Sequence, residues 1–353
     1  MKVAELQTYL REHQLDAALF TNQEYKEDTA LFYFAQTRID RGALLVPAHG
    51  KPVLLIPGFE YLRIKHTAPF AVEQAWPLFD VVQKKLKRMK RVGVNGDVFS
   101  LTEQRDLGSR LPSTAFVDIS DALAHLRISK TPEEQKLTAE SCAIACDIMN
   151  ACIKRLAEFD TEEEVAHFLK TEADKRDCEL AFPPIVASGA HGATPHHVPN
   201  GKLASGFCVI DFGVRWKGYC SDMTRTVFLG TPTAKDRAMY ARVLAAQENA
   251  LRKLKAGVDY RAIDTAARKQ FGAYAKNFVH GLGHSVGLWV HDIVPKALWD
   301  KLTLPAGAVW TVEPGLYFPN KFGIRIEDTA LVTASGSRVL TQGTTKQFTA
   351  VKR

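Results

Sequence analysis

The sequence predicts an α/β (α+β) chain of two domains: a small N-terminal α/β domain over residues 1–122 and a larger domain over 123–353. Three observations lead there. A chain of 353 residues is too long for one core of typical size. In the first third, short apolar runs alternate with segments of helical spacing. After about residue 180 the texture changes to glycine- and proline-rich loops, long helices and apolar strands that carry carboxylates.

The opening segment MKVAELQTYLREHQLDAALF reads as an amphipathic helix running into a strand, DAALF, at 16–20. ALLVPAHGKPVLLIPG (43–58) reads as two strands around a His-Gly turn, RVGVNG (91–96) as a short strand stopped by glycine, and AFVDIS (115–120) as another. SLTEQRDLGSRL (100–111) has helical spacing. This first domain holds few clustered histidines or carboxylates, so no chemistry is assigned to it.

The boundary falls near 121–131, because LRISKTPEEQKLTAE carries a helix start. Thr131 is placed as the N-cap, Pro132 occupies the first helical position and Glu134 the capping-box position, and the helix runs to about 158. A second start at Asp160-Thr161, with Glu163 and Glu164 free to cap, runs to about 176. The acidic run 162–164 is read as compensating the helix dipole, not as a metal site. AFPPIVASGAHGATPHHVPN (181–200) is loop-rich. FCVIDFGVRWKGYCSDMTRTVFLG reads as two strands joined by a turn at Lys217-Gly218, helical spacing returns at 233–256 and 259–275, and the chain closes in strands.

Composition limits the function classes. Hydrophobic residues at 46% and charged residues at 24% suit a soluble globular protein. No apolar run reaches the roughly 18 residues of a membrane span, and the N-terminus has no apolar stretch followed by a small-residue cleavage site, so a cytoplasmic protein is expected. Cysteines at 142, 146, 152, 178, 208 and 220 lack the tight pairing of a zinc knuckle and read as small buried residues. The net charge of +7 owes part of its excess to the run from Lys84 to Arg91. Leu86 and Met89 interrupt that run and a buried strand follows it, which fits a solvated helix face; no nucleic-acid partner is expected.

The carboxylates in the second half are the anomaly. Asp211 follows Phe207-Cys208-Val209-Ile210, Asp222 follows the turn, Glu313 sits in VWTVEPG and Glu327 in GIRIED. Burying an acid in such a strand is costly unless it is paired or bound to a metal. With a turn near 216–218, Asp211 and Asp222 come close across the ladder, where two bare carboxylates raise each other's pKa and a divalent cation removes the repulsion. Four carboxylates exceed what one catalytic ion needs and match the supply for two ions about 3.5–4 Å apart. VHGLGHSVGLWVHDIV brings His280, His284 and His291 within twelve positions, where Gly281, Gly283 and Gly287 argue for a strand or open loop over a helix. Oxygen-rich ligation with one histidine suits Mn²⁺ and tolerates Co²⁺ or Zn²⁺. In ATPHHVPN, His196 and His197 are further groups able to exchange protons near neutral pH.

At these residues the chain closely resembles the proline-specific "pita-bread" metallopeptidases, the Xaa-Pro dipeptidases (prolidases) and Xaa-Pro aminopeptidases. The likeness rests on DFGVRWKGYCSDMTRT, HGLGHSVGLWVH, VEPG and GIRIED, supported by FPPIVASGAHGATPHH and LRISKTPEE. It implies a creatinase/prolidase-like N-terminal domain before a pita-bread catalytic domain, and two divalent ions per subunit. It implies that Asp211 binds one ion, that His284 and Glu313 bind the other, and that Asp222 and Glu327 bridge. Glu313 is also the implied general base, His196 and His291 the implied substrate and oxyanion contacts, and Tyr219, His280 and Arg325 residues that orient the ligands. The implied substrates are proline-containing dipeptides or short peptides, and the implied assembly is a homodimer.

Two positions depart from the family pattern. Trp289 stands where an acidic residue is more usual. Lys296 stands near where some prolidases carry an arginine that clamps a dipeptide's carboxylate, and a lysine offers a point charge without the bidentate fork. A dipeptidase is favoured, with an Xaa-Pro aminopeptidase of the P type as the alternative. A catalytically silent binding module on the same fold is the remote reading, disfavoured because all five ligands are present.

Overall fold

The structure is a computed structural model that describes residues 2–24 and 26–352. The chain forms two compact units, Met1–Arg127 and Ile128–Arg353.

The first unit is built on a six-stranded mixed sheet. Its strands are β1 (Ala17–Asn22), β2 (Gly42–Pro47), β3 (Val53–Ile56), β4 (Ala71–Gln74), β5 (Arg91–Val94) and β6 (Ala115–Asp118), in the order β4-β3-β2-β1-β5-β6. β1 is antiparallel to β2 and parallel to β5, and it is buried along its whole length. That explains why AALF reads as a continuous apolar run and not as an alternation. β4 escaped the sequence reading because it is a four-residue edge strand that is mostly exposed, leaving no apolar face to give a period. The helix Thr29–Ala35 escaped it for the opposite reason: six of its seven residues are buried, so it has no polar face.

The second unit repeats one scheme twice: a pair of helices, then paired strands that bend from one sheet into another. The first helices are α1 (Pro132–Arg155) and α2 (Glu162–Asp174). Both open with a complete capping box, Thr131 with Glu134 and Thr161 with Glu164. The strands that follow are β7 (Glu179–Leu180), β8 (Ile185–Ser188), β9 (Gly206–Phe212), β10 (Val214–Trp216), β11 (Tyr219–Cys220) and β12 (Met223–Leu229). Helices α3 (Ala234–Lys253) and α4 (Tyr260–Phe271) open the second half. β13 (Val309–Val312), β14 (Gly315–Phe318), β15 (Phe322–Arg325), β16 (Asp328–Val332), β17 (Ser337–Val339) and β18 (Ala350–Val351) complete it.

The expected hairpin between 207 and 229 is more elaborate than two strands and a turn. β9 and β12 pair in a four-stranded sheet, while β10 and β11 belong to a separate three-stranded one. The switch occurs at Gly213, where a Cβ would lie 2.0 Å from the carbonyl oxygen of Ser221, so only glycine admits that approach. The second strand pair bends in the same manner: β13 pairs with β16, and β14 with β15. Two cores back these sheets. Residues such as Met149, Val165 and Leu169 pack on Ile210 and Val227, and residues such as Val243, Ile263 and Phe271 pack near Trp310 and Ile324.

Candidate metal centre

All four predicted carboxylates sit at the two bends. Asp211 lies one residue before the end of β9, directly opposite Thr224, and Asp222 immediately precedes β12. On a pleated ladder Asp211, Asp222, Thr224 and Thr226 therefore share one face. Val312 is paired with Asp328, so the next step outward brings Glu313 and Glu327 opposite each other where the second pair changes sheets. The two bends are stitched together. Thr224 donates to Glu327 Oε2 at 2.7 Å, Thr226 donates to the Arg325 carbonyl at 2.7 Å, and the Glu327 amide donates to the Thr224 carbonyl.

The histidine arrives on a strand-like segment, as its glycines led one to expect. The amides of Val286 and Glu313 donate to the carbonyls of Val309 and Leu282, and the Thr311 amide donates to the His284 carbonyl. Gly283 is required there, because a Cβ would meet the Thr311 carbonyl oxygen at 2.1 Å. His284 Nε2 is thereby set 3.4 Å from both Asp222 Oδ2 and Glu313 Oε1.

Several of these carboxylate oxygens lack a partner. Asp211 Oδ1, Asp222 Oδ1 and Glu327 Oε1 are buried without a hydrogen bond. Burial, reinforced by the carboxylates of Asp211 and Glu313, pushes the Asp222 carboxyl well above its ordinary range, against the pull of Arg325. Burial and then Asp222, Glu313 and Asp211 push Glu327 up likewise, with His284 opposing. Unpaired buried oxygens on converging acids are the signature of a site short of positive charge. Asp222, His284 and Glu327 each place a ligand atom within 4.8 Å of the others, so the residues present fit a divalent cation.

A second group of this kind, Glu162 with His191 and His197, has the opposite character. Glu162 is buried at the start of α2, and both its oxygens are satisfied. Oε1 accepts from the amide and hydroxyl of Ser188 at 2.7 and 2.8 Å, while Oε2 lies 2.8 Å from His197 Nε2 and accepts from the Asn200 amide at 3.1 Å. Burial pushes this carboxyl up, but these donors outweigh it and hold it below the usual carboxylate value. The sequence reading makes Glu162 one of three acids compensating the helix dipole; it does lie in the first turn of α2, and its buried side chain turns inward onto these donors.

The remaining predicted residues are distributed around the carboxylates. Arg325 is buried among them, donating to Asp211 Oδ2 at 2.7 Å, Thr224 Oγ1 at 3.0 Å, the Tyr317 hydroxyl at 2.8 Å and the Pro195 carbonyl at 3.4 Å. His280 Nε2 lies 2.8 Å from the Tyr317 hydroxyl and its Nδ1 lies 3.9 Å from Glu313 Oε2. The His291 ring packs 4.0 Å from that of His284. His291 itself reaches solvent, yet burial of its ring, together with His284 and His196, pushes its pKa down to about 4 against the pull of Asp211. His196 lies in an exposed turn, near enough to act on His291. Tyr219 points elsewhere: its hydroxyl donates to Glu134, the capping-box glutamate of α1. Tyr317, Thr224, Thr226 and Thr311 went unnoticed in the sequence. The available signal was the pair of threonines at two-residue spacing on a strand whose every position is buried.

The match to known proteins covers both units. A model of metallopeptidase family M24 matches residues 136–334, more than half of the chain, and a model of the creatinase/prolidase N-terminal domain matches residues 2–129. The chain belongs to metallopeptidase family M24. It is 34% identical over 319 residues to a Xaa-Pro dipeptidase of Pyrococcus furiosus, covering 88% of this chain and 90% of that one. Among solved structures it resembles an X-Pro aminopeptidase from Thermotoga maritima MSB8 with a TM-score of 0.89, at 29% identity over 96% of this chain and 98% of that one. It resembles a Xaa-Pro dipeptidase from Bacillus anthracis with a TM-score of 0.90, at 28% identity over 99% of each.

The expected fold therefore holds: a creatinase-like N-terminal α/β domain and an M24 pita-bread domain. No helix among the described residues is long and apolar enough to cross a membrane. The two positions singled out in the sequence, Trp289 and Lys296, both reach solvent. Trp289 is 38% exposed with the guanidinium of Arg215 4.8 Å above its ring, and Lys296 is exposed just ahead of the short helix Ala297–Asp300.

Proposed function

We propose that this M24 metallopeptidase is a two-ion peptidase that cleaves the bond before proline, with Xaa-Pro dipeptides as its favoured substrates. The observation that carries the reading is the set of three buried carboxylate oxygens without partners, on Asp211, Asp222 and Glu327, converging beside His284 and Glu313. In this reading Asp211, Asp222, His284, Glu313 and Glu327 hold two divalent ions. Mn²⁺ suits the mainly oxygen donor set best, and Co²⁺ or Zn²⁺ are accommodated. Such ions, when bound, supply Lewis acidity and a water acidic enough to attack a peptide carbonyl near neutral pH.

The chain's own residues do the rest. Glu313, whose Oε1 accepts from Thr311 at 3.3 Å, is oriented to take the proton of the attacking water and return it to the leaving proline nitrogen. His291 and His196, at the solvent side of the site, donate to the carbonyl oxygen as it gains charge. Arg325 and Thr224 hold Asp211 and Glu327 in place, and Tyr317 ties His280 to Arg325. Lys296 is the cation we assign to the dipeptide's free carboxylate. We infer a cytoplasmic homodimer, on the strength of the family resemblance.

The Thermotoga maritima relative, an X-Pro aminopeptidase, supports the second reading, removal of the residue before proline from longer peptides. The chelated protein is reloaded with Mn²⁺ and offered an Xaa-Pro dipeptide and an Xaa-Pro-Xaa tripeptide separately. Preferential cleavage of the dipeptide is expected. Preference for the tripeptide makes the protein an aminopeptidase, and cleavage of neither with Mn²⁺, Co²⁺ or Zn²⁺ overturns the proposal.

A further inference from the structure

His196 sits in an exposed turn, and an exposed turn is a poor platform for a group that must meet a substrate carbonyl within a few tenths of an ångström. The loop that carries it is nevertheless held on two sides. On the metal side, Arg325 donates to the Pro195 carbonyl, and Gly192 packs so tightly on Gly323 that a Cβ on Gly323 would fall 1.7 Å from the Gly192 carbonyl oxygen. On the far side everything converges on one carboxylate. Glu162 engages Ser188, where β8 ends, then His191 in the following 3₁₀ turn, His197 beside His196, and the Asn200 amide as the loop leaves. The rings of His191 and His197 stack with centroids 4.3 Å apart over that carboxylate.

We propose that Glu162 is a positioning residue for the reaction: by gathering residues 188–200 from the helix side, it sets the orientation in which His196 meets the substrate. The inference rests on the reading of His196 as a substrate contact. His196 and His197 divide the work. His197 is turned inward as the anchor, 10% exposed at its side chain, which leaves its neighbour free to face the other way. Glu162 needs both oxygens for this, one for Ser188 and one for the His197–Asn200 end of the loop. A neutral amide in its place would keep one acceptor and aim its own N–H groups at donors.

The test is a double-mutant cycle on the Mn²⁺-loaded enzyme, with Glu162→Gln and His196→Ala singly and together. Amide exchange over residues 188–200 is followed alongside in loaded and metal-free protein. We expect Glu162→Gln to lower kcat about 10- to 100-fold, the scale of a catalytic group displaced by about 1 Å, with bound metal unchanged. In the His196→Ala background the same change should cost no more than about twofold, because the group it positions is gone. Exchange in the loop should rise in both metal states, and His197→Gln, which retains a donor toward Glu162, should stay near wild type where His197→Ala does not. Equal losses from Glu162→Gln in both backgrounds, or unchanged exchange, overturn the proposal. A His196→Ala variant with wild-type kcat overturns instead the role given to His196, so the two failures are distinguishable.

Discussion

Arg325 offers the most direct energetic test of how the carboxylates are held together. Its side chain is 3% exposed, and its guanidinium donates four hydrogen bonds: to Asp211, Thr224, Tyr317 and the Pro195 carbonyl. Replacing it with methionine keeps much of the volume and removes the charge. Asp211 then has one oxygen that has lost its donor and another that had none, both buried. Breaking a buried ion pair from one side costs about 3–5 kcal/mol, most of it the penalty of the charge left behind. Four separate hydrogen bonds at full value would exceed this, but a neutral bond contributes only about 1 kcal/mol net. We therefore expect Arg325→Met to lower the unfolding free energy of the chelated protein by about 4 kcal/mol. It is measured by urea titration followed by near-ultraviolet circular dichroism. Adding Asp211→Asn removes the stranded charge, so the double variant should recover about 2 kcal/mol over the sum of the single losses. Strict additivity would refute the view that Arg325 compensates Asp211.

Three further outcomes follow from the geometry. Asp222→Asn and Glu327→Gln should each lower the metal bound per chain, read by elemental mass spectrometry, and abolish turnover, because each acid supplies an unpartnered buried oxygen. Gly213→Ala forces a Cβ to 2.0 Å from the Ser221 carbonyl oxygen, so the bend carrying Asp211 and Asp222 must shift. A loss of about 2 kcal/mol in stability is expected, with weakened metal retention on dialysis. In the N-terminal unit, burial raises Asp28 from 3.8 to about 6, against the lowering effects of Asn95, the Ala30 amide, Lys26 and Arg127. The folded state thus binds this proton more tightly than the unfolded chain does. The stabilisation is fully present below about pH 4 and is lost as pH rises through about 6, a total of about 3 kcal/mol. Asp28→Asn keeps the Oδ1 acceptor used by Ala30 and Asn95 and should flatten that dependence in thermal unfolding between pH 4 and 8.

Much of this architecture was legible in the chain because local and global preferences agree. Thr131-Pro132 with Glu134, and Thr161 with Glu164, announce two helix starts that the structure builds with full capping boxes. Acids set in apolar strands pointed to a common site because a buried carboxylate needs a partner, and four in one half of the chain, Asp211, Asp222, Glu313 and Glu327, invite a shared one. What stayed hidden was set by tertiary packing. Gly213 is an ordinary glycine until Ser221 lies against it, and only then does one hairpin become two sheets. Glu162 stands in a run of three acids, and nothing local tells that its side chain turns inward while Glu163 and Glu164 stay near the surface. In GIRIED, Glu327 and Asp328 are adjacent acids with opposite fates. Glu327 faces Asp222 and His284, while Asp328 is buried against Arg225, Lys346 and Gln247. Strand alternation predicts the opposite facing, but which acid joins Asp222 and His284 depends on the register of β13 with β16.

In the proposed function Asp211, Asp222, His284, Glu313 and Glu327 hold two ions, and peptide cleavage needs both. The most direct measurement titrates Mn²⁺ into chelated protein while hydrolysis of an Xaa-Pro dipeptide and the metal bound per chain are followed together. No cleavage before addition, and activity that rises to a plateau as bound metal reaches two per chain, is the result expected here. Cleavage that survives complete chelation, or full activity with no more than one ion bound, would contradict it.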